Sequence, residues 1–330
     1  MAQATITGAH AFGELDNYRA ELTAYCYRML GSPFDAEDAV QDAFVRAWRS
    51  RDRFEGRAAM RSWLYRIATN VCLDLLKGKE RRTTPMDLGP AREPIESNLH
   101  VPSEITWLEP IPLHLVSPER DPAEVAVANE SIRLAFVRAL QHLPARQRAV
   151  LILRDVLDWQ ASEVAELLGA SVASVNSALQ RAHATLAKTH KQSDVDKTGG
   201  TRQLSDADRA MLDRYVSAFE RYDLSALTSL IREDASQSMP PYDMWLSGRE
   251  DILKWWFGPG IGCQGSRVLP TFSANGMPTF GQYKPSPDGG YDPWALQVLD
   301  VSQGTIGEFT FFLDTARLFP LFGLPLHLDA

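Results

Sequence analysis

Between Ser32 and Ser50 apolar residues recur at three- and four-residue intervals, with Val40, Phe44, Ala47 and Trp48 on one side. Pro33 and Asp35 stand before them, which predicts a helix with Asp35 as its N-cap and Asp38 three residues on. A second helix is predicted from Arg61 to Lys77, where Leu64, Ile67, Val71 and Leu75 form a single stripe. The loop Arg51-Asp-Arg-Phe-Glu-Gly-Arg57 joins the two. From Arg81 the texture changes: eight prolines fall by Pro122 and neither period survives, so a linker is expected. Within it, Ile105 to Leu115 is apolar enough to lie along a protein surface.

Helical spacing resumes near Ala123 and continues to about Lys188, with Pro144 in a first turn and Gly169 as a break. Beyond the break, Val172, Val175, Leu179, Ala182 and Leu186 keep the spacing. Gln192 to Ser205 is polar with a Gly-Gly pair, a second linker. The remainder differs in kind. A helical opening from Ala210 to Ile231 and a short helix near Glu250 to Phe257 precede the runs Trp294–Val301 and Thr305–Leu313, which read as strands.

Residues 161–187 read as a helix-turn-helix. Gly169 permits the tight turn, Ser171 can cap the following helix, and Val175 and Leu179 pack it back. That leaves Ala173, Ser174, Ser177, Gln180 and Arg181 exposed. Small and hydrogen-bonding groups with one guanidinium suit a helix laid in a major groove, although helix-Gly-helix also describes an ordinary antiparallel pair. A second candidate is the stretch from Arg46 to Arg82, where Arg49, Arg51, Arg53, Arg57, Arg61 and Arg66 alternate with Trp48, Phe54, Trp63 and Tyr65. Basic charge beside aromatic faces is what single-stranded DNA binding uses, and an exposed Asn70 can read a base edge. A solvated basic face over an aromatic core fits the same pattern. Glu37, Asp38, Gln41 and Asp42 form an acidic stripe that suits solvent or protein docking better than a metal, because its carboxylates come from one element.

Composition changes this picture in one respect. The 330 residues carry a formal charge of -8, which by itself argues against a nucleic-acid partner. Resolved by segment, residues 46–82 hold eleven Lys/Arg against four Asp/Glu, and residues 131–193 hold eight against four. Residues 96–130 hold one against seven, and residues 194–330 eleven against eighteen. Two basic blocks are thus each followed by an acidic segment. Length favours two or three domains. Three scattered cysteines encode neither a disulfide framework nor a zinc site, and seven histidines show no metal spacing. No phosphate loop, dinucleotide fingerprint or nucleophile elbow occurs. The absence of a long apolar run or signal layout makes a cytoplasmic location the expectation, with no membrane partner and no cofactor.

The segment Asp35-Ala-Glu-Asp-Ala-Val-Gln-Asp-Ala-Phe-Val-Arg-Ala-Trp48, then Phe54-Glu-Gly and Ser62 to Leu76, resembles region two of the extracytoplasmic-function sigma factors of the sigma-70 family. Leu143 to Val156, Ser162 to Gly169 and Ser174 to Arg181 resemble their region four. The resemblance implies a multidomain chain: residues 11–82 as a helical region-two bundle, 83–122 a linker, 123–190 a region-four helix-turn-helix, and 191–204 a second linker. It implies that core RNA polymerase and promoter DNA are the partners. Glu37, Asp38, Gln41, Asp42 and Phe44 would dock on the clamp helices of the polymerase largest subunit. Phe54, Gly56, Arg57, Arg61, Trp63, Arg66 and Asn70 would take up the minus-ten element, and Ser171, Ser174, Ser177, Gln180 and Arg181 would read the minus-thirty-five element. The linker of this family threads toward the catalytic channel, where acidic residues imitate nucleic acid.

Residues 205–330 resemble a SnoaL-like domain, the cone-shaped α+β fold shared with polyketide cyclases and ketosteroid isomerases. The carriers are Leu212 to Leu230, Ser238-Met-Pro-Pro241, Trp245, Gly248-Arg-Glu250, Asp288-Gly-Gly290 and Leu318 to Pro325. The expectation is a regulatory tail, acting through a small-molecule ligand or an intramolecular contact and not as an enzyme. Tyr242, Trp245, Trp255, Trp256 and Trp294 would line its pocket. The alternative is a cyclase- or isomerase-like enzyme fused to a DNA-binding module, with Asp243, Asp314 and Tyr242 as its catalytic groups.

Overall fold

In the computed structural model the chain divides into two compact units, and residues 15–51, 54, 60–116, 131–192 and 204–329 are described. The first unit holds the chain up to Arg82 together with Leu108 to Gly199; the second holds Thr83–Trp107 and Gly200 to the end. The expected linker 83–122 is therefore split. Its first twenty-five residues pack with the sheet domain, and Leu108 and Ile111 are buried in the helical unit.

The helical unit contains α1 (Arg19–Leu30), α2 (Pro33–Arg49), α3 (Met60–Leu75), α4 (Leu134–Gln141), α5 (Ala145–Leu151), α6 (Ala161–Leu168) and α7 (Val172–Gln192), with one π-helical turn, Ile152–Val156, after α5. Leu22, Tyr25, Met29, Val40, Leu64 and Val150 belong to a single continuous core. The α1–α2 corner is fixed by Gly31, whose φ is +72°; a Cβ there would stand 2.9 Å from Leu108 Cδ1, so both conformation and space require glycine. Ser32, not Asp35, caps α2, its Oγ accepting the Asp35 N–H at 3.3 Å behind Pro33 at the first helical position. Asp35 instead accepts Arg82 at 2.7 Å, and Arg82 also reaches Glu109 at 3.3 Å.

Two arginines lie inside this core. Arg148 donates to the main-chain oxygens of Met29, Gln141 and Leu143 and to Gln141 Oε1, joining the end of α1 to α4 and α5. Arg28 reaches Ser131 Oγ at 2.6 Å and its carbonyl oxygen at 3.0 Å. Burial pulls both guanidinium groups down to about 10.

In the second unit α8 (Asp206–Arg221) and α9 (Leu224–Leu230) lead into β1 (Ile231–Ser238), β2 (Trp245–Ser247), α10 (Arg249–Phe257), β3 (Arg267–Pro270), β4 (Thr279–Pro285), β5 (Tyr291–Ser302), β6 (Thr305–Phe312) and α11 (Thr315–Leu321). The sheet runs β2-β1-β6-β5-β4-β3, antiparallel except where β1 pairs with β6. The two-residue period of β4 separates its faces. Phe280 joins the core under the helices together with Tyr215, Trp256 and Phe309. Gly281 and Tyr283 face the C-terminal segment, where Leu324 would be 2.7 Å from a Cβ at position 281 and the Tyr283 and Phe319 rings stand 5.1 Å apart.

Candidate nucleic-acid interface

Helix α2 buries Ala36, Ala39, Val40, Ala43 and Ala47. That leaves Glu37, Asp38 and Gln41 exposed and Asp42 and Phe44 half-buried. Gln41 donates to Glu37 at 3.2 Å, and Asp42 holds Arg46 at 2.8 Å. The Arg19 guanidinium lies 5.2 Å over the Phe44 ring. Sequence spacing assigned Trp48 to the apolar side, yet it is 54% exposed, as Val45 is at 46%. Glu37, Gln41, Val45 and Trp48 are four and three residues apart, so the acidic stripe continues into an apolar one. Exposed large side chains aligned with charge suit a protein contact better than solvent does.

On α3 the turns of Leu64, Ala68 and Val71 face the core and present Arg61, Arg66 and Asn70 outward. Arg61 bridges Glu21 at 3.0 Å and lies 5.4 Å from the Tyr65 ring and 5.7 Å from the Trp159 ring. Arg66 donates to Glu166 of α6, to Oε1 at 3.3 Å and to the carbonyl oxygen at 3.4 Å. Trp63 is half-buried with its ring 5.3 Å from that of Phe54. Asn70 is exposed, and its carboxamide has no hydrogen-bond partner among the described residues. Gly56 and Arg57 lie outside the described residues.

The second candidate surface is built from α6 and α7. Glu163 Oε2 accepts the Gln160 N–H at 2.7 Å and starts α6; Gly169 ends it at φ +60°. Ser171 Oγ accepts the Ser174 N–H at 3.2 Å and starts α7, as the spacing predicts. Val175 and Ala182 turn into the core, while Val172 is 44% exposed, contrary to its place in the expected stripe. His183 contacts Asp155 at 2.6 Å and pins α7 to the π-turn. Ser171, Ala173, Ser174, Ser177, Gln180 and Arg181 are all exposed. The side chains of Ser177, Gln180 and Arg181 have no partner among the described residues. Ser174, Ser177 and Arg181 fall on one side of a helix about 31 Å long, which fits a groove about 12 Å wide.

Two family models match the helical unit: Sigma-70 region 2 over residues 15–82 and Sigma-70, region 4 over residues 133–186. Over 315 residues the chain is 42% identical to the ECF RNA polymerase sigma factor SigG of Mycobacterium tuberculosis, spanning 93% of this chain and 82% of that one. This chain belongs to the ECF RNA polymerase sigma factors. The SigW sigma factor of Bacillus subtilis is 28% identical over 181 residues, 54% of this chain and 88% of its own. The crystal structure of the Mycobacterium tuberculosis ECF sigma factor SigJ superposes with a TM-score of 0.61 at 21% identity, covering 95% of this chain and 99% of that one, and shows that the fold is shared along the chain.

The sigma factor's sheet domain is the expected α+β cone, and its polar groups are committed in a way the sequence did not announce. Residues 83–107 form a strap along it. Arg92 makes a forked pair with Asp243, Nη1 to Oδ1 at 3.1 Å and Nη2 to Oδ2 at 2.7 Å. Its own N–H donates to the Trp245 carbonyl at 3.0 Å, the Trp245 indole donates to Gly89 O at 2.9 Å, and the Asp243 N–H donates to His100 O at 3.0 Å. Asp243 and Trp245 are therefore strap anchors and do not line the interior. Asp314 precedes α11 and pairs with Arg317 at 3.3 Å. Trp255, Trp256 and Trp294 do line the interior cavity; Tyr242 does not. Among the described residues no three His, Cys, Asp or Glu converge as metal ligands, and no helix is long and apolar enough to cross a membrane.

Proposed function

We propose that this sigma factor brings core RNA polymerase to promoters in the cytoplasm and that its sheet domain governs the step by holding the strap. The polymerase face is the Glu37-Gln41-Val45-Trp48 stripe with Asp38, Asp42 and Phe44. Asn70, together with Phe54, Trp63, Arg61 and Arg66 and with Gly56 and Arg57 of the preceding segment, takes the minus-ten strand. Ser174, Ser177, Gln180 and Arg181 read the minus-thirty-five duplex, with Ser171 holding the helix start. The observation that carries promoter reading is the stripe on α7, whose donors and acceptors have no structural work in the fold.

The two heads cannot read in the arrangement described. Promoter elements about 25 base pairs apart are separated by roughly 85 Å of duplex, whereas Arg66 of the minus-ten face touches Glu166, one helix before the reading helix. Opening of the Arg66–Glu166 and Arg61–Trp159 contacts therefore accompanies promoter binding. The Arg66–Glu166 pair is exposed and worth only about 0.2–1 kcal/mol, whereas Trp159 is buried, so parting it from Arg61 and Tyr65 exposes core surface and is the larger cost of opening.

The strap supplies the regulation. Its ends continue directly into Arg82 and Leu108 of the helical unit, and it is the segment that in this family enters the polymerase channel. While Arg92 and Gly89 are held on Asp243 and Trp245, the strap is withheld from that channel. No catalytic step is assigned to the sheet domain, because the carboxylates that a cyclase or isomerase would use are engaged elsewhere and none lines its cavity.

Run-off transcription with core polymerase tests the reading. The full chain should give a promoter-specific transcript; Arg181→Ala should weaken duplex binding, and Asn70→Ala should leave duplex binding intact while impairing opening. Absence of any promoter-specific transcript, or wild-type behaviour of both variants, overturns it. Turnover of a ketosteroid or polyketide substrate by the full chain would favour the enzymatic alternative.

A further inference from the structure

Among the described residues of the sheet domain's interior, one carboxamide is left half used by the fold. Gln237 on β1 is 1% exposed, and its Oε1 accepts the Trp256 indole N–H at 2.6 Å. Its Nε2 has no acceptor among the described residues. The neighbouring carboxamides differ. Gln282 donates to Ser266 Oγ at 3.0 Å and accepts Gln297 at 2.9 Å, and Gln297 accepts the Tyr215 hydroxyl at 2.8 Å. That chain runs on from Ser266 to the Cys263 carbonyl, whereas Gln237 Nε2 keeps its N–H donors unspent among the described residues.

Gln237 faces a cavity of about 30 Å³ among Phe219, Trp255, Trp256 and Phe311, with Met239 and Leu313 also in its wall. Trp294 lies at its open side, 40% exposed, with the Lys284 ammonium 3.1 Å from the ring centroid. The volume suits about one water. A larger guest enters only by displacing side chains of the wall. The wall carries no carboxylate, imidazole or ammonium; the Tyr222 hydroxyl is spent on the Trp256 and Gly260 carbonyls. A charged guest would therefore lose its hydration uncompensated. Besides the Cys263 thiol and a Gln282 carboxamide bonded to Ser266 and Gln297, the wall offers aromatic faces and the Gln237 Nε2 amino group, which together recognise a flat, uncharged molecule with an oxygen acceptor.

The wall and the strap anchor lie on one segment. Gln237 pairs with Leu246 and Ser238 with Trp245 across β1 and β2. Between the strands run Met239, which lines the cavity, Pro240, whose carbonyl accepts the Leu313 N–H at 3.0 Å, and Asp243, which holds Arg92. A guest that displaces Met239 and Leu313 outward must shift the turn bearing Asp243.

We propose that this cavity is a receptor site for an uncharged aromatic molecule carrying a carbonyl or ether oxygen, which Gln237 Nε2 recognises, and that occupancy loosens the strap. The second half rests on the strap reading above. The guest binds the shifted turn better than the unshifted one and draws the equilibrium toward strap release.

The test uses the full-length protein with acetophenone as probe, ethylbenzene as its acceptor-free shape mimic and benzoate as its charged one. Calorimetry or ligand-observed NMR should give acetophenone about 3–10-fold tighter than ethylbenzene, the worth of one net hydrogen bond, and no binding of benzoate. Gln237→Leu should bring acetophenone to the ethylbenzene value. Because that variant also strips the Trp256 indole of its acceptor, the wild-type ratio decides if it folds poorly. With the site saturated, the Arg92 and Asp243 amides should exchange hydrogen several-fold faster. Equal binding of acetophenone and ethylbenzene, or binding of benzoate as tight as either, overturns the receptor assignment. Unchanged amide exchange at saturation overturns the coupling. Neither readout involves polymerase, so a strap without control over transcription would show in run-off assays while leaving these results standing.

Discussion

Replacing Arg92 with alanine removes both arms of the fork from Asp243. The carboxylate is 12% exposed at its side chain and the guanidinium 38%, so the pair lies between a surface bridge, worth about 0.2–1 kcal/mol, and a buried one, whose severance costs about 3–5 kcal/mol. Two charge-assisted hydrogen bonds at 3.1 and 2.7 Å place the loss near 2 kcal/mol. What stays behind is modest: His100 Nδ1 at 3.6 Å, the Trp245 indole on Gly89, and two main-chain bonds. At about 1.4 kcal/mol per tenfold, local opening of the strap becomes roughly 30-fold more frequent. Native-state hydrogen exchange at the Arg92-position and Asp243 amides reads this directly. Arg92→Lys keeps the charge but not the fork and should fall between the two. Exchange rates in the alanine variant within twofold of wild type would refute the assignment of the fork as the strap's anchor. An Asp243→Ala double cycle then separates the pair energy from the cost of leaving a carboxylate without its partner.

Ser171→Ala removes the cap of α7 and should cost about 1 kcal/mol in urea unfolding, with weaker duplex binding. Gly169→Ala should cost about 1 kcal/mol from its φ of +60° alone, because a Cβ there meets nothing within 4 Å, whereas Gly31→Ala, which also meets Leu108, should cost more in the same titration. Arg66→Ala should change thermal stability by less than about 1 kcal/mol yet lower affinity for single-stranded minus-ten DNA, read by fluorescence anisotropy. Burial raises the phenols of Tyr25, Tyr65, Tyr215 and Tyr222 and pushes Tyr283 up to about 12. Their folded values exceed the unfolded value near 10, so the stability they contribute is complete below pH 10 and declines above it. Absorbance at 295 nm should therefore show a late phenolate step that coincides with loss of circular dichroism; full ionisation of all nine tyrosines while the fold persists would contradict this.

Periodic features were readable from the residues. The Val175–Ala182 spacing, Gly169 and Ser171 specify a capped helix after a tight turn, and each of those local preferences agrees with the fold. Charge was readable only in part. Among the basic residues between 131 and 193, Arg148 is 3% exposed and spends its donors on Met29, Gln141 and Leu143. A sum over the segment counts it toward DNA, whereas the structure spends it on joining α1 to α5. Trp48 misled in the opposite direction, since helical spacing gives a side but not what covers that side. Exposed on the helix that also exposes Glu37 and Gln41, it belongs to the proposed polymerase face, and hydrophobic periodicity concealed it.

The strap was illegible for a more general reason. Its contacts join Arg92 to Asp243 across 151 positions and otherwise use the carbonyls of Gly89, His100 and Trp245. Main-chain acceptors carry no residue signature, and a proline-rich stretch without period looks the same whether it is solvated or docked. The same contacts show what the sequence could not say of Asp243: its negative charge is answered by the Arg92 guanidinium of the strap. A residue that holds the strap cannot at the same time act as a free base toward a guest in the cavity. The commitment of Asp243 to Arg92 thus withdraws this carboxylate from acid–base chemistry for as long as the strap is docked.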